Sequence, residues 1–318
     1  MSGRTSQGSD PQDPAFSVGG QAVIEGVMMR APNAWAVAVR RPNGAIEAVR
    51  HPLPRLSSRS RWARVPFIRG MLVLGESLTL GFRALSWSAQ KAADDDEEPL
   101  TSRQVAGSMT IALVLFAALF ILIPAAIARF AAGESTLAFN AVEGVVRLAL
   151  FIGYIWAIGR SEEIRRVFQY HGAEHMAIHA YEAGEPLSVD SVARYRPEHP
   201  RCGTSFLLIV VVFSILVFSL LGRPGWVMLI VSRIVLIPVI AGLAYELLKF
   251  SGTRQSDRLG RILAAPGLWL QRLTTGRPEP EMIEVAVTSL LSALDDDQVS
   301  EIEDRGPLPE AAVAARAR

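Results

Sequence analysis

Residues 104–128 run for 25 positions without a charged side chain. At 1.5 Å per residue a helix over this run is about 37 Å long, enough to cross a hydrocarbon core of about 30 Å. Helix is the expected form, because a single segment in lipid must satisfy its own backbone polar groups. Three further apolar stretches follow, at residues 141–159, 202–222 and 226–248. The second carries Glu143 and Arg147 near its start. The fourth is interrupted by Arg233 and Glu246, and Pro124 and Pro238 are expected to bend the first and fourth. Gly222, Arg223, Pro224 and Gly225 form a tight-turn signal between the last two. With 50% hydrophobic residues in 318, the pattern predicts a mainly α, polytopic membrane protein with about four transmembrane helices.

Charge orients it. The net charge of +1 gives no bulk attraction to nucleic acid, and no nucleic-acid partner is expected. Arginine is concentrated before the first span (Arg50, Arg55, Arg59, Arg61, Arg64, Arg69), after the second (Arg160, Arg165, Arg166) and after the fourth (Arg254, Arg258, Arg261). The positive-inside rule therefore puts both termini and residues 160–201 in the cytoplasm of a bacterial cell, with the chain in the inner membrane. The lipid bilayer is the first expected partner. Anionic headgroups are expected on the arginine-rich flank, where Trp62 and Phe67 interleave, and a homo-oligomer is compatible with so few spans. The one cysteine, Cys202, excludes an intrachain disulfide and fits a reducing compartment.

Around the spans the chain divides into a polar tail (1–15), a cytoplasmic β-containing unit (16–68), an interfacial or re-entrant helix (69–91), an acidic linker (92–103), spans one and two (104–159), a His/Glu-rich loop (160–201), spans three and four (202–248), cytoplasmic amphipathic helices (249–294) and a disordered tail (295–318). Within the β unit, residues 34–40 and 45–50 alternate in polarity about Asn43-Gly44, a strong hairpin signal. Residues 17–30 hold three glycines and read as a further strand with turns. The stretch 71–87 is apolar but carries Glu76 and Arg83, too much charge for a clear span.

Chemistry concentrates at residues 170–182, Y-H-G-A-E-H-M-A-I-H-A-Y-E. On a helix, His171, Glu174, His175, His179 and Glu182 share a stripe roughly 140° wide, opposite Ala173, Met176, Ala177 and Ala180. His171, Glu174 and His175 spell H-x-x-E-H, the inverted zinc-peptidase spacing. Its two imidazoles can grip one metal, and the carboxyl between them can serve as general base. A histidine-rich solvated face is the bland alternative. The topology brings His199 and Cys202, before span three, and Glu246, at the end of span four, to the same cytoplasmic side. Glu246 lies about 70 residues beyond the motif, a separation that favours it as third ligand. His179, Glu182, His199 and Cys202 are additional donors, with Glu25 more remote. A divalent ion, zinc first and iron or manganese next, is the expected cofactor. Arg147 and Arg233 are intramembrane charges that pair with Glu143, meet lipid phosphate or snorkel outward.

Four motifs in order, V-G-G-Q-A-V-I-E-G-V-M-M-R, Y-H-G-A-E-H, H-P-R-C-G-T-S-F and Y-E-L-L-K-F, resemble the bacterial YqhQ family over residues 18–294. These are polytopic membrane proteins of unknown function, often described as metal-dependent enzymes. The resemblance implies His171, Glu174 and His175 as site residues, and more weakly Glu25, His199, Cys202 and Glu246. The expected activity is a metal-dependent hydrolase acting on a membrane-associated substrate. It would use His171, His175 and Glu246 as ligands and Glu174 as base. The alternatives are a non-enzymatic scaffold or metal sensor, and a small transporter using Arg147, Arg233 and Glu246.

Overall fold

The computed structural model describes residues 18–53, 65, 68–93, 102–200, 202–252 and 257–316. The N-terminal tail, residues 94–101 of the acidic linker and most of the arginine-rich stretch lie outside the described residues. The chain is mainly helical, with one small antiparallel sheet.

The sheet is a meander of β1 (Gly19–Val23), β2 (Gly26–Arg30), β3 (Ala34–Arg40) and β4 (Ile46–Pro52) in sequential order. Its third hairpin, between β3 and β4, turns where Asn43-Gly44 stands, with Gly44 at φ 85° and the Asn43 side chain accepting from Ala45 N at 3.0 Å. Because side chains alternate across a strand, β2 and β3 split cleanly between two faces. Val27, Met29, Ala36 and Ala38 join one core, while Val23, Met28, Trp35, Val37 and Val39 join another. The second face is covered by α1 (Ile68–Ala92), through Leu80 and Ala84. Buried Gly70, Glu76, Leu80, Ala84 and Ser88 make a stripe on α1, and Met71, Leu72, Leu78, Phe82 and Leu85 stay exposed.

The first apolar run forms α2 (Ser102–Ala117), a π-helical segment (Ala118–Leu122) and α3 (Ile123–Ala131). The π turn falls immediately before Pro124, at N1/N2 of α3. Proline cannot donate to the carbonyl four residues back, and a wider turn absorbs that fault. Then follow α4 (Thr136–Ile158), α5 (Glu162–Glu182), the single turn α6 (Val189–Val192), α7 (Gly203–Ser219), α8 (Trp226–Gly252), α9 (Arg258–Thr274), α10 (Pro280–Ala293), α11 (Asp296–Glu303) and α12 (Glu310–Arg316). Among the described residues, three helical stretches are long and apolar enough to cross a membrane: Thr110–Ala131, Thr136–Ile158 and Trp226–Ser251. The expected third span is the shorter α7, of 17 residues.

α5 starts at Ser161, whose hydroxyl accepts from Ile164 N, with Glu162 and Glu163 in the first turn opposing the positive end of the helix dipole. Its Ala173, Met176, Ala177 and Ala180 face packs with the sheet and α10 in one core, as the stripe predicts. The C-terminal stretch departs from expectation. In place of a disordered tail, α11 and α12 bury Val299, Ile302 and Ala312 in that same core. Asp295 and Gln298 form a capping box at the start of α11.

A candidate metal centre

His171, His175 and Cys202 come together. Their donor atoms lie within 4.8 Å of one another, and they are the group of this kind among the described residues. The imidazoles come from successive turns of α5. The thiol comes from the N-cap of α7, where Cys202 Sγ accepts from Thr204 N at 3.3 Å and lies 3.2 Å from Thr204 Oγ1.

Ring orientation is fixed on both histidines. His171 Nδ1 lies 2.8 Å from the Thr274 carbonyl oxygen, and His175 Nδ1 lies 2.5 Å from that of Pro197. A carbonyl only accepts, so each Nδ1 carries the proton and each Nε2 keeps its lone pair. His171 Nε2 is 3.2 Å from Cys202 Sγ. Zinc–nitrogen and zinc–sulfur bonds of about 2.0–2.1 and 2.3 Å put tetrahedral N and S donors about 3.5 Å apart, so this spacing is close to what one metal requires. Backbone carbonyls holding the remote nitrogen are the usual outer support of a metal-binding histidine.

Those carbonyls are themselves held. Gly276 N donates to Phe168 O at 2.7 Å, tying the chain after α9 to α5. Gly172 permits that approach, since a methyl there would overlap the Gly276 carbonyl oxygen. The segment before Cys202 is clamped by Gln271 of α9, which is fully buried. Its Oε1 accepts from His199 N at 2.8 Å, and its Nε2 donates to His199 O at 2.9 Å and to Ser205 Oγ at 3.2 Å.

Glu174 sits beside the three donors at 4% exposure. Its carboxyl accepts a backbone hydrogen bond from Gly20 of β1, where a Cβ would come within 3.1 Å of the carboxyl carbon, and its Oε2 has no partner among the described residues. Burial pushes its pKa up to about 8, against the pull of His171. Burial likewise drives His175 well below the ordinary histidine value, with His171 and His199 adding to the effect. It lowers His199 to about 4 and raises the Cys202 thiol against the Thr204 hydrogen bonds. All four shifts oppose charge, so the metal-free pocket favours neutral side chains. A dication reverses that preference, since it favours thiolate and carboxylate.

The other expected site residues fall in different places. His199 and His179 form an adjoining aromatic pair 4.4 Å apart between centroids, His199 lies 5.7 Å from His175, and His199 Nε2 is 3.4 Å from Glu182 Oε2. His179 Nε2 contacts the Glu198 carbonyl oxygen at 3.0 Å. Glu246, the expected third ligand, is instead bound to Arg69 at 2.5 Å, where α1 packs on α8. An arginine in the first turn of α1 takes the carboxylate, and Cys202 is the side chain that joins the two histidines. Glu25 also lies outside the cluster. It occupies the β1–β2 turn at φ 49°, gripped by Arg166 Nε and Nη2 at 2.6 and 2.5 Å and by Tyr170 Oη at 3.3 Å, and so fastens the sheet to α5. Arg147 and Arg233 both reach Glu143 inside the helical bundle. Sequence reasoning missed Gln271, Thr274 and Pro197, which act through backbone carbonyls or a neutral amide and carry no motif. Gly20, one of the three glycines in residues 17–30, does make a close approach, to the Glu174 carboxyl.

The fold and the cluster define a helical protein with three membrane-length helices and a small sheet, carrying a two-histidine, one-cysteine donor set at the base of an apolar helix. Residues 65–296 match the family described as "Protein of unknown function (DUF1385)", and the chain belongs to that family. It is also 33% identical over 303 residues to "Uncharacterized protein YqhQ" of Bacillus subtilis (strain 168), covering 91% of this chain and 95% of the relative. No solved structure matches.

Proposed function

We propose that this chain is a metal-dependent enzyme of the bacterial inner membrane, a hydrolase acting at the cytoplasmic face on a membrane-associated substrate. The reading rests on one observation above others: both Nδ1 atoms of the H-x-x-E-H histidines are committed to backbone carbonyls, leaving both Nε2 atoms as donors, with His171 Nε2 3.2 Å from Cys202 Sγ and donor atoms of all three side chains within 4.8 Å of one another. Three protein donors with a fourth position open is the arrangement of catalytic rather than structural zinc. A divalent metal held by His171, His175 and Cys202 supplies Lewis-acid polarisation of a carbonyl or phosphoryl oxygen. Glu174, with one oxygen anchored by Gly20 and the other free, is the group that accepts and returns a proton.

The membrane setting is supported by the three long apolar helices, with α7 read as a fourth crossing, and the arginine distribution supports cytoplasmic termini. Exposed apolar side chains such as Leu113 and Leu115, at 68% and 63%, fit contact with lipid. The donor set lies at the N-terminus of α7, where that helix would enter the bilayer, which selects a substrate with an apolar part. A second reading, a structural or sensing metal site, is favoured by the burial of His175 and Cys202.

The test is elemental mass spectrometry on the detergent-purified chain. About one equivalent of metal is expected, lost in His175→Ala and Cys202→Ala. In Glu174→Gln, metal should be retained and hydrolysis of amphiphilic esters, phosphoesters or peptides abolished. Absence of metal from well-folded wild type would sink both readings. Full turnover in Glu174→Gln would remove Glu174 from the proton-transfer role, and metal-loaded wild type that hydrolyses none of these substrates would sink the enzyme reading alone.

A further inference from the structure

The charges buried in the helical bundle do not balance. Glu143 and Arg147 of α4 and Arg233 of α8 are 2%, 4% and 1% exposed. Arg147 Nη2 donates to Glu143 Oε1 at 2.5 Å, and Arg233 Nη2 donates to Oε1 and Oε2 at 2.8 and 3.0 Å. One carboxylate therefore serves two guanidiniums. Arginine is not deprotonated in proteins, so the group carries one excess positive charge.

Its donors are also in excess. Arg147 Nε donates to the Phe120 carbonyl at 3.1 Å, in the π-helical segment before Pro124. Arg147 Nη1, Arg233 Nε and Arg233 Nη1 have no hydrogen-bond partner among the described residues. The Phe218 ring lies over both guanidiniums, 5.2 Å from Arg147 Cζ and 3.7 Å from Arg233 Cζ. Along their helices, Arg147 lies about 16 Å from the start of α4 and Arg233 about 10 Å from the start of α8 at 1.5 Å per residue. An uncompensated ion at such a place costs several kcal/mol. Water can meet the free N–H groups, but it brings no opposite charge.

We propose that Arg147 and Arg233, with Glu143 as partial counter-charge, bind one small monovalent inorganic anion of the halide class inside the bundle. A monoanion brings the group to neutrality, whereas a dianion would overshoot. The unpartnered donors lie on two helices, as suits a spherical acceptor that takes N–H groups from several directions. A bulk lipid headgroup does not fit side chains this deeply enclosed. The site is separate from the metal centre: Phe218 stands at the far end of α7 from Cys202, about 24 Å along the axis.

The test uses the full chain, purified in detergent and exchanged into gluconate, with radiolabelled chloride in equilibrium dialysis. One saturable chloride per chain is expected, and chloride or bromide should raise the unfolding temperature where sulfate at equal ionic strength does not. Glu143→Gln removes the competing carboxylate and should tighten binding at least about tenfold. Arg233→Gln leaves a neutral Glu143–Arg147 pair and should abolish binding. If Arg233→Gln does not fold, wild type and Glu143→Gln decide the matter. The proposal is overturned if wild type shows no saturable chloride, if Glu143→Gln binds no more tightly, or if a stoichiometric anionic phospholipid occupies the site and is lost in Arg233→Gln.

Discussion

Gln271→Leu is the sharpest probe of how the donor set is held. The substitution keeps side-chain volume roughly constant but removes three hydrogen bonds, of 2.8, 2.9 and 3.2 Å, in a position with no solvent exposure. His199 N, His199 O and Ser205 Oγ lose this partner. Each unsatisfied buried group costs about 1–3 kcal/mol, and partial relaxation brings the total to about 2–5 kcal/mol. The His199-to-Cys202 segment then loosens, and with it the thiol on the N-cap of α7. Disturbing the outer support of a metal site costs about 10–100-fold in affinity. Denaturant unfolding in detergent reads the first quantity, and competition with a chelator of known affinity reads the second. Thr288→Val is the control. Thr288 is equally buried and bonds only its own helix at Glu284 O, so it should lower stability without moving metal affinity. If Gln271→Leu destabilises the fold while metal affinity stays within twofold of wild type, the clamp does not position Cys202.

Other perturbations separate the parts of the molecule. Gly172→Ala should lower stability by about 1–3 kcal/mol through overpacking against Gly276 and should weaken metal binding, because His171 loses its hold on Thr274 O; chelator competition and unfolding report both. Glu246→Gln should leave metal content intact, since the carboxylate belongs to Arg69; loss of metal in this variant would restore it to the ligand set. Arg166→Ala should cost about 1 kcal/mol or less, because the Arg166–Glu25 pair is only half-buried, and metal content should not change. Truncation after residue 294 should expose apolar surface around Val299, Ile302 and Ala312 and be measurable as lost thermal stability.

What the sequence disclosed follows from the reach of its signals. The Asn43-Gly44 hairpin, the apolar runs and the α5 stripe are local patterns, set by spacing along a few turns or one pleat, and each is found in place. The π turn before Pro124 is local as well. Glu246 shows the limit. Its position near a helix end and its distance from H-x-x-E-H were visible, but the arginine that claims it stands 177 residues earlier. Cys202 was visible as a donor, yet its precedence over Glu246 depends on how α9 pins residues 199–205, which no periodicity encodes. The terminal helices were missed because Val299, Ile302 and Ala312 are too sparse among acidic neighbours to make a recognisable stripe.

The hydrogen bond from His171 to the Thr274 carbonyl spans 103 residues of chain. The two imidazoles are synthesised first, the thiol about 30 residues later, and the carbonyl that orients His171 only after four apolar stretches have left the ribosome. Until then His171 lacks the carbonyl that fixes its tautomer, and Phe168 lacks its bond from Gly276. The donor set is therefore a late product of biogenesis, completed only when α7, α8 and α9 have all reached their final positions. A chain stalled or misinserted at any of these steps would hold its histidines without the geometry to use them, so metal loading would report correct membrane assembly.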